Sequence, residues 1–475
     1  MIKRIHFCLM LVGVVALAGC TVGPDYVRPA MDLPNQYNDT MVTQPAPEAA
    51  TEAPVPIQTD WWTLFNDPEL NKLEALALAN NADLMMAIAR ISQAQGMALQ
   101  AGAAQYPILS LQGSGMRASK GAAASSSGVD YLDNNYQGGG ALSYEFDIWG
   151  QVRRSVESAD AQLKASLFDR DSVRLVLEGS VAKAYMNLRA FDAQIKVTDD
   201  SIKTRRESLR IAQAKLEGGL VSPIDVNQAM ATMANLQATQ SDLIRQRVIT
   251  QNQLAVLTGK LDLSIPAGDL NSMPLPPVPP AGLPSKLLES RPDIRKAEEQ
   301  LISANAQIGV AKANFFPSLN LTGQYGAQSV GFTNFLSASG AIWAAALSAV
   351  QPVFSGFALT GQLNYAKGKQ QEAVGAYTKA VRTAFGEVGD ALVSVKQTGE
   401  TEGFLSVQVK SSSKAQQLAI IRYEAGYTDY LTVLDAQRVA NEASLAYARN
   451  RANRLQASVD LFKALGGGWQ AEMSR

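Results

Sequence analysis

The stretch YEAGYTDYLTVLDAQR (residues 423–438) places one glycine, Gly426, inside a long helical sequence. A looser copy, LEGGLVSPIDVNQA (residues 216–229), carries Gly218 and Gly219, and Gly219 precedes Gly426 by 426 − 219 = 207 residues. Glycine is favoured directly after a helix because that position often takes a positive φ angle. Each stretch is therefore predicted to be the tip of a helical hairpin, where one long helix ends and a second helix returns.

The spacing of other landmarks indicates that most of the chain is duplicated. From Gly219 to Gly259 is 259 − 219 = 40 residues, and from Gly426 to Gly466 is 466 − 426 = 40 residues. A repeat of this size predicts two copies of one structural unit. The predicted division is a signal peptide at 1–19, an acylated extended arm at 20–60, a first repeat at 61–260, a proline-rich linker at 261–285, a second repeat at 286–468 and a tail at 469–475.

Each copy also contains segments in which apolar and polar residues alternate. ILSLQGSGM follows Pro107 and SLNLTGQYG follows Pro317. Proline marks both strand starts because it removes a helical hydrogen-bond donor and favours extended geometry in the residue before it. A period of two with one apolar face predicts β-strands. The strands are expected near 107–117, 140–149, 317–326 and 343–354.

Long helical sequence follows Gly150 and Gly356 and reaches the predicted tips, near 218–223 and 425–430. Only Gly179 is expected to interrupt the first of these helices. A helix from 150 to 219 would be about 100 Å long at ~1.5 Å per residue. Such a hairpin buries little surface alone, which favours side-by-side packing into a tube. A coiled-coil spacer is the alternative that the helices by themselves leave open.

The N-terminal residues predict export and lipid attachment. A basic start precedes an apolar run, 5–17, which is too short to span a bilayer core of ~30 Å but is typical of a signal peptide. LAGC (17–20) then resembles a bacterial lipobox, in which Cys20 receives diacylglycerol and, after cleavage, an N-acyl chain. Thr21 favours transfer to the outer membrane. An ordinary signal peptide with a chance cysteine is the alternative.

Removal of residues 1–19 would leave no histidine and Cys20 as the only cysteine. Histidine or cysteine catalysis, His/Cys metal sites and a disulfide framework would then be excluded. The 42 basic residues nearly balance the 43 acidic residues, which gives no electrostatic reason to expect nucleic acid as a partner. Apart from the lipid on Cys20, no cofactor is expected.

Four strands in one chain predict a membrane barrel shared between chains. An open sheet cannot lie in lipid because its edges leave backbone groups unsatisfied, and membrane barrels begin at about eight strands. Aromatic residues near the strand ends are typical of interfacial belts, although a soluble sheet with incidental aromatics is the alternative. These residues are Tyr106, Trp149, Phe315, Phe316, Trp343 and Phe354.

Several motifs together resemble the TolC-like outer-membrane efflux factors, in their NodT/OprM-type lipoprotein branch. The resemblance covers essentially the whole mature chain. It implies an α+β membrane protein in which a trimeric 12-stranded β-barrel, with four strands from each chain, continues into a long periplasmic α-helical barrel. The motifs are CTVGPDYVRP (20–29), WWTLFNDPEL (61–70), LLESRPDIRKAE (287–298), ANFFPSLNLTG (313–323) and RYEAGYTDYLTVLDAQR (422–438).

The resemblance also implies a location, partners and a function. A homotrimer would be anchored by lipid in the cell outer membrane and extend into the periplasm. Its partners would be a periplasmic adaptor (membrane fusion) protein and an inner-membrane pump, commonly of the resistance-nodulation-division (RND) class. The expected function is a passive exit duct for drugs or other small solutes, without catalysis.

At the second tip the resemblance assigns roles to individual residues. Asp435 matches a position whose carboxylate forms part of a ring at the periplasmic constriction, and Tyr423 matches a tyrosine that helps to hold the tip shut. Thr432 stands where some members carry a second ring aspartate, so a weaker ring is expected here. Thr428 stands where some members carry a gate arginine, so that gate link is not implied for this chain.

Physical reasoning about Asp435 leaves two explanations. Three symmetry-related carboxylates at a narrow mouth would repel one another, raise one another's pKa and attract cations. From the residues alone, pairing with Arg438 on the same helix face is the favoured explanation of Asp435, and only the resemblance favours the gate. Asp225, in the first tip, is a further candidate for lining the mouth.

Three other functions remain as alternatives: a type I secretion exit duct, an envelope enzyme and a non-conducting structural tether lipoprotein. An enzyme is disfavoured because acidic residues are scattered over helix faces without a compact catalytic constellation. A tether would not explain the amphipathic strands. The substrate cannot be deduced from Gly/Ser loops and scattered methionines.

Overall fold

The structure, a computed structural model, describes residues 21–32, 34, 59–120, 131–278, 291–335 and 337–468. The predicted signal peptide, Cys20, most of the predicted arm and the predicted tail lie outside these residues. Within the described part of the chain, no helix combines the length and the apolar character needed to cross a membrane.

The described residues form seven α-helices, which are α1 (Pro68–Asn80), α2 (Ala82–Ala103), α3 (Gln151–Glu217), α4 (Pro223–Leu257), α5 (Pro292–Ala313), α6 (Ala358–Glu424) and α7 (Tyr430–Ala464). Their lengths repeat. Helices α2 and α5 each have 22 residues, α3 and α6 each have 67, and α4 and α7 each have 35. The duplication predicted from landmark spacing is confirmed by these matched lengths.

Helix α3 runs through Gly179 without interruption, so the predicted break at this glycine is wrong. A Cβ atom at Gly179 would lie 3.4 Å from Cδ of Lys463 and 3.9 Å from Cγ1 of Val459, both on α7. The missing side chain therefore allows α3 and α7 to approach closely. Tertiary packing outweighs the lower helix propensity of one glycine, which is about 1 kcal/mol relative to alanine.

Four strands form one antiparallel sheet in the order β1-β2-β3-β4, with β1 at Ile108–Lys120, β2 at Tyr131–Phe146, β3 at Ser318–Ser329 and β4 at Ala341–Val350. Strand β2 begins nine residues before the predicted position (140 − 131 = 9), because backbone pairing continues through Gly139, which lies opposite both Gln112 and Gly326. Strand β4 ends at Val350 rather than near 354 because Pro352 lacks a donor for the ladder.

The register of the sheet gives it one apolar and one polar face. Leu142 lies opposite Leu109, and Leu321 lies between Tyr144 and Leu347. Successive side chains of a strand point to opposite faces, so the intervening residues share the other face. The alternation predicted from the sequence is confirmed. The polar face includes Ser110, Gln112, Ser143, Asn320, Thr322 and Ser348.

The chain divides into two compact units that do not coincide with the predicted repeats. The first unit comprises Met1–Ala30, Arg90–Leu167 and Lys296–Tyr377, and the second comprises the remainder. Each unit takes segments from both repeats, because matching parts of the two copies pack together in the same unit.

In the first unit, the residues that follow Cys20 are bound along their length. Val22 N donates to the carbonyl of Trp149 (3.0 Å), and Arg28 donates to both carboxylate oxygens of Glu298 (2.6 and 2.9 Å). Trp149 itself is fixed, since its Nε1 donates to the carbonyl of Pro317 (2.8 Å) and its ring stacks on Phe316 at 4.7 Å. Trp149 is therefore a structural residue rather than a free member of an aromatic belt.

Other aromatic residues near the strand ends are exposed. Tyr106 is 69% exposed, Trp343 is 78% exposed and Phe354 is 82% exposed. Exposed rings of this size on a single chain are typical of a surface that another molecule or a membrane covers.

The core of the second unit forms around Trp61, Phe65, Leu73 and Tyr185, all of which are fully buried. The motif NDPEL begins α1: the Asp67 side chain accepts hydrogen bonds from the N–H groups of Glu69 (2.9 Å) and Leu70 (3.1 Å). Proline at the first helical position is compatible with this cap. The Tyr185 hydroxyl donates to Asp67 (2.8 Å), which links the start of α1 to α3.

Candidate functional site at the hairpin tips

The two tips, both in the second unit, close with the same backbone motif. After α3, Gly219 has φ 71° and Leu220 N donates to the carbonyl of Lys215 (2.8 Å). After α6, Gly426 has φ 82° and Tyr427 N donates to the carbonyl of Arg422 (2.8 Å). This is the Schellman arrangement, which requires a left-handed residue and explains the glycine in each copy. Gly218 precedes the left-handed residue of the first tip.

The returning helices begin with different caps. At the first tip, the Ser222 side chain accepts from Ile224 N (3.2 Å), and Pro223 occupies the first helical position. At the second tip, Asp429 accepts from both the hydroxyl and the backbone N–H of Thr432, and these bonds hold the pKa of the Asp429 carboxyl below its usual value. The Thr432 side chain is therefore used in capping α7.

Two buried tyrosines form the centre of the second tip. The rings of Tyr423 and Tyr430 lie 5.3 Å apart, and both pack with Leu209 of α3 and Ala229 of α4. The Lys215 ammonium lies 4.1 Å from the centroid of the Tyr423 ring and donates to the Tyr423 carbonyl. The first hairpin thus holds the end of α6 through an apolar cluster, a cation–π contact and a hydrogen bond.

Asp225 faces this tyrosine pair from the first tip. Burial raises the pKa of both tyrosines, that of Tyr430 to about 12, and the negative charge of Asp225 raises both further. The structure therefore brings together two of the residues singled out in the sequence, Asp225 and Tyr423.

Asp435 and Arg438 lie on the exposed surface of α7, where Arg438 binds two carboxylates. Its Nη2 donates to Asp435 (2.7 Å) and its Nη1 donates to Glu442 (2.9 Å). The side chain of Asp435 is 64% exposed, so solvent screens the ion pair and it adds little to stability. The pairing considered from the sequence is present, and it leaves the Asp435 carboxylate open to solvent.

Sequence reasoning missed Tyr430, Lys215 and Gln437. Gln437 is buried and donates to the Ser208 hydroxyl (2.8 Å), a contact between α7 and α3. Tyr430 stands 430 − 423 = 7 residues after Tyr423, a spacing that would place both on one face of a continuous helix. Because Gly426 lies between the two tyrosines, this spacing did not predict that their rings would meet. No feature of the sequence singled out Lys215.

The fold and the tips can be compared with known proteins. The family model described as "Outer membrane efflux protein" matches residues 73–260 and 283–467. The probable efflux pump outer membrane protein TtgC of Pseudomonas putida is 34% identical over 459 residues, covering 95% of this chain and 93% of the relative. The outer membrane protein OprJ of Pseudomonas aeruginosa is 31% identical over 96% of this chain and 94% of its own length.

A solved structure gives the same result for the fold. The open state of the Neisseria gonorrhoeae MtrE outer membrane channel superimposes with a TM-score of 0.84 at 32% identity, covering 96% of this chain and 100% of that chain. Sequence and fold agree over nearly the whole length, and the chain belongs to the outer membrane efflux protein family.

Proposed function

We propose that this protein is the outer-membrane component of a tripartite efflux system, a passive duct through which small solutes leave the cell. The observation that carries the proposal is the sheet. It has one apolar face and one polar face, and within the described residues its edge strands, β1 and β4, each pair on one side only. The apolar face of such a sheet needs contact with lipid, and its edge strands need further strands to pair with their free backbone groups.

Closure by three copies satisfies both needs. Strand β1 of one chain pairs with β4 of the next, so that three four-stranded sheets form a barrel of 3 × 4 = 12 strands. The face with Leu109, Leu142 and Leu347 then meets lipid, and the face with Gln112 and Asn320 lines a wet lumen. The long helices extend into the periplasm as the α-helical part of the same duct.

The proposal includes the lipid anchor and the partners. A diacylglyceryl group and an N-acyl chain on Cys20 would hold the arm to the outer membrane, and the hydrogen bond from Val22 to Trp149 supports a fixed path for the chain after the anchor. A periplasmic adaptor and an inner-membrane pump, of the RND class, would supply solute and energy. The efflux-pump names of relatives such as TtgC support this assignment.

The proposal also assigns the gate to the tips. Tyr423, Tyr430 and Asp225 would hold the two hairpins together in the resting state, and the exposed Asp435 carboxylates of three chains would ring the mouth. Arg438 would partly neutralise the negative charge of that ring, because it already pairs with Asp435 and Glu442. Thr432, used as a capping partner, adds no charge.

Cross-linking of the sheet edges tests the duct directly. Gln112→Cys on β1 and Ala346→Cys on β4 stand three strands and four register positions apart in one chain, roughly 20 Å, beyond the reach of a short thiol cross-linker. Treatment of the double variant in membranes is expected to give covalent dimers and trimers, and the purified trimer is expected to conduct ions in planar bilayers.

The matched control places cysteines on the inner strands, at Ser143 on β2 and Asn320 on β3, which should give no cross-links between chains. Monomers alone from the edge variant, with no conductance, would reject the duct and favour a tether. A conducting trimer whose loss abolishes export of a protein but leaves drug resistance intact would favour type I secretion instead.

A further inference from the structure

Glu74, on α1, is an acidic residue buried without a partner. Its exposure is 0%, and neither carboxylate oxygen accepts a hydrogen bond from the described residues. It stands among the apolar residues Leu70, Leu73 and Ala77 of the same helix, which are also fully buried. An ionised carboxylate in such surroundings is strongly disfavoured, because burial removes its hydration and nothing replaces it.

A second buried acid, Glu178 on α3, acts on Glu74. Glu178 is 3% exposed, and its Oε1 accepts a hydrogen bond from Nε of Arg174 (2.8 Å) one turn earlier. The residues beside the two acids, Leu73 and Ala77 of α1 and Leu177 and Val181 of α3, pack in one apolar cluster, and the negative charge of Glu178 opposes ionisation of Glu74. Glu178 is therefore the more readily ionised of the two side chains, and Glu74 is the one that keeps its proton.

Most of the other charged groups near the pair have partners of their own. From α7, Lys463 packs its methylene groups on Gly179, and Asp460 binds Lys183 (2.5 Å). On α1, Glu69 pairs with Lys72 (3.5 Å), and the preceding Asp67 serves as the cap of the helix. Within the described residues, none of these groups makes an ion pair with Glu74.

We propose that Glu74 and Glu178 form a proton-binding acid pair, in which Glu74 keeps a proton at neutral pH and this proton holds α1 against α3. The O–H group of a protonated Glu74 could donate a hydrogen bond to the Glu178 carboxylate, which would give one of the two orphaned oxygen atoms of Glu74 a partner. A proton fits better than a metal ion, because no group of three or more metal-binding side chains occurs in the described part of the chain.

The site makes the attachment of α1 dependent on pH. Burial raises the pKa of Glu178 from 4.5 to about 7 and that of Glu74 well above its usual value. When α1 detaches, both groups return to ordinary values, so the detached state binds fewer protons between pH 4.5 and 7. The stability of the attached state is therefore fully present below pH 4.5 and is lost as the pH rises through about 7.

For Glu178 alone, a shift of 7 − 4.5 = 2.5 pKa units corresponds to about a 300-fold change in the opening equilibrium of α1. The segment 61–80 would thus be held most firmly in acid and loosened in alkali.

Infrared spectroscopy of the purified wild-type protein tests the proton itself. At pH 7 we expect the carbonyl stretch of a protonated carboxylic acid, a band that ionised carboxylates lack. Because Glu178 itself is partly protonated at pH 7, the comparison is made in a Glu178→Gln protein, whose band at this pH is then expected to come from Glu74. Adding Glu74→Gln, which keeps the shape of the protonated side chain, should remove this band, whereas adding Glu69→Gln on the same helix should retain it. Absence of the band in Glu178→Gln at pH 7, or its survival when Glu74→Gln is added, would overturn the proposal.

Hydrogen exchange tests the mechanical consequence. After correction for intrinsic exchange rates, protection of residues 61–80 in the wild type should fall on the order of 100-fold between pH 5 and pH 8. The fall should be much smaller in Glu178→Gln, because the proton that the wild type loses over this range comes from Glu178. Equal pH slopes in Glu178→Gln and Glu69→Gln would refute the coupling. The duct could still conduct, since conduction does not depend on this pair.

Discussion

The tip between α3 and α4 and the tip between α6 and α7 share a backbone but differ in chemistry. Both end on a left-handed glycine with the same Schellman hydrogen bond. With an offset of 207 residues, Tyr430 corresponds to Pro223 and Asp435 corresponds to Gln228 (430 − 223 = 207; 435 − 228 = 207). The two copies share the turn, while the buried aromatic ring at 430 and the exposed acid at 435 have no counterpart in the first copy. The shared feature concerns folding, and the differing side chains are the candidates for gating.

The largest difference between the tips is expected from Tyr430→Ala. The ring is 2% exposed and packs on Tyr423, so its removal leaves a cavity that should lower the free energy of unfolding by about 3 kcal/mol. The loosened tip should also conduct more in planar bilayers. The matched change in the first tip, Pro223→Ala, affects an exposed helix start and should change stability by less than about 1 kcal/mol. Equal losses at both tips would contradict this specialisation.

A smaller effect, equal at both tips, is expected from Gly219→Ala and Gly426→Ala. A Cβ atom at either position has no neighbour within 4 Å, so the only cost is the left-handed backbone, about 1 kcal/mol for each variant. Denaturant unfolding of the purified protein measures the free energy of unfolding of both variants. If one variant loses several times more of this free energy than the other, the two turns are not equivalent.

The smallest effect on stability, within about 0.5 kcal/mol, is expected from Asp435→Ala, because its ion pair with Arg438 is exposed. Its effect should appear in conduction instead. Removal of three carboxylates from the mouth should increase single-channel conductance or weaken block by divalent cations. Gln228→Ala in the first tip serves as control and should change neither property, and unchanged conductance and block in Asp435→Ala would remove Asp435 from the gate.

Particular residues show where sequence reasoning succeeded. The strands after Pro107 and Pro317 and the glycines of the tips were predictable, because alternation, proline geometry and a positive φ are properties of a few consecutive residues. Gly179 shows where it failed: a helix-weakening glycine was interpreted as a break, but its contact with Lys463 of α7 keeps α3 continuous. The hydrogen bond from Trp149 to the Pro317 carbonyl was likewise not predictable, because it joins residues 317 − 149 = 168 positions apart.

The sequence by itself determined the order of helices and strands, the duplication, the turn at each tip and the two faces of the sheet. Each of these follows from local periodicity or from the backbone preference of one residue type. Only the tertiary structure decided which side chains meet: Asp225 with Tyr423 at the tips, and Glu74 with Glu178, which are 178 − 74 = 104 residues apart. Such meetings depend on how whole helices pack, and no local pattern encodes that packing.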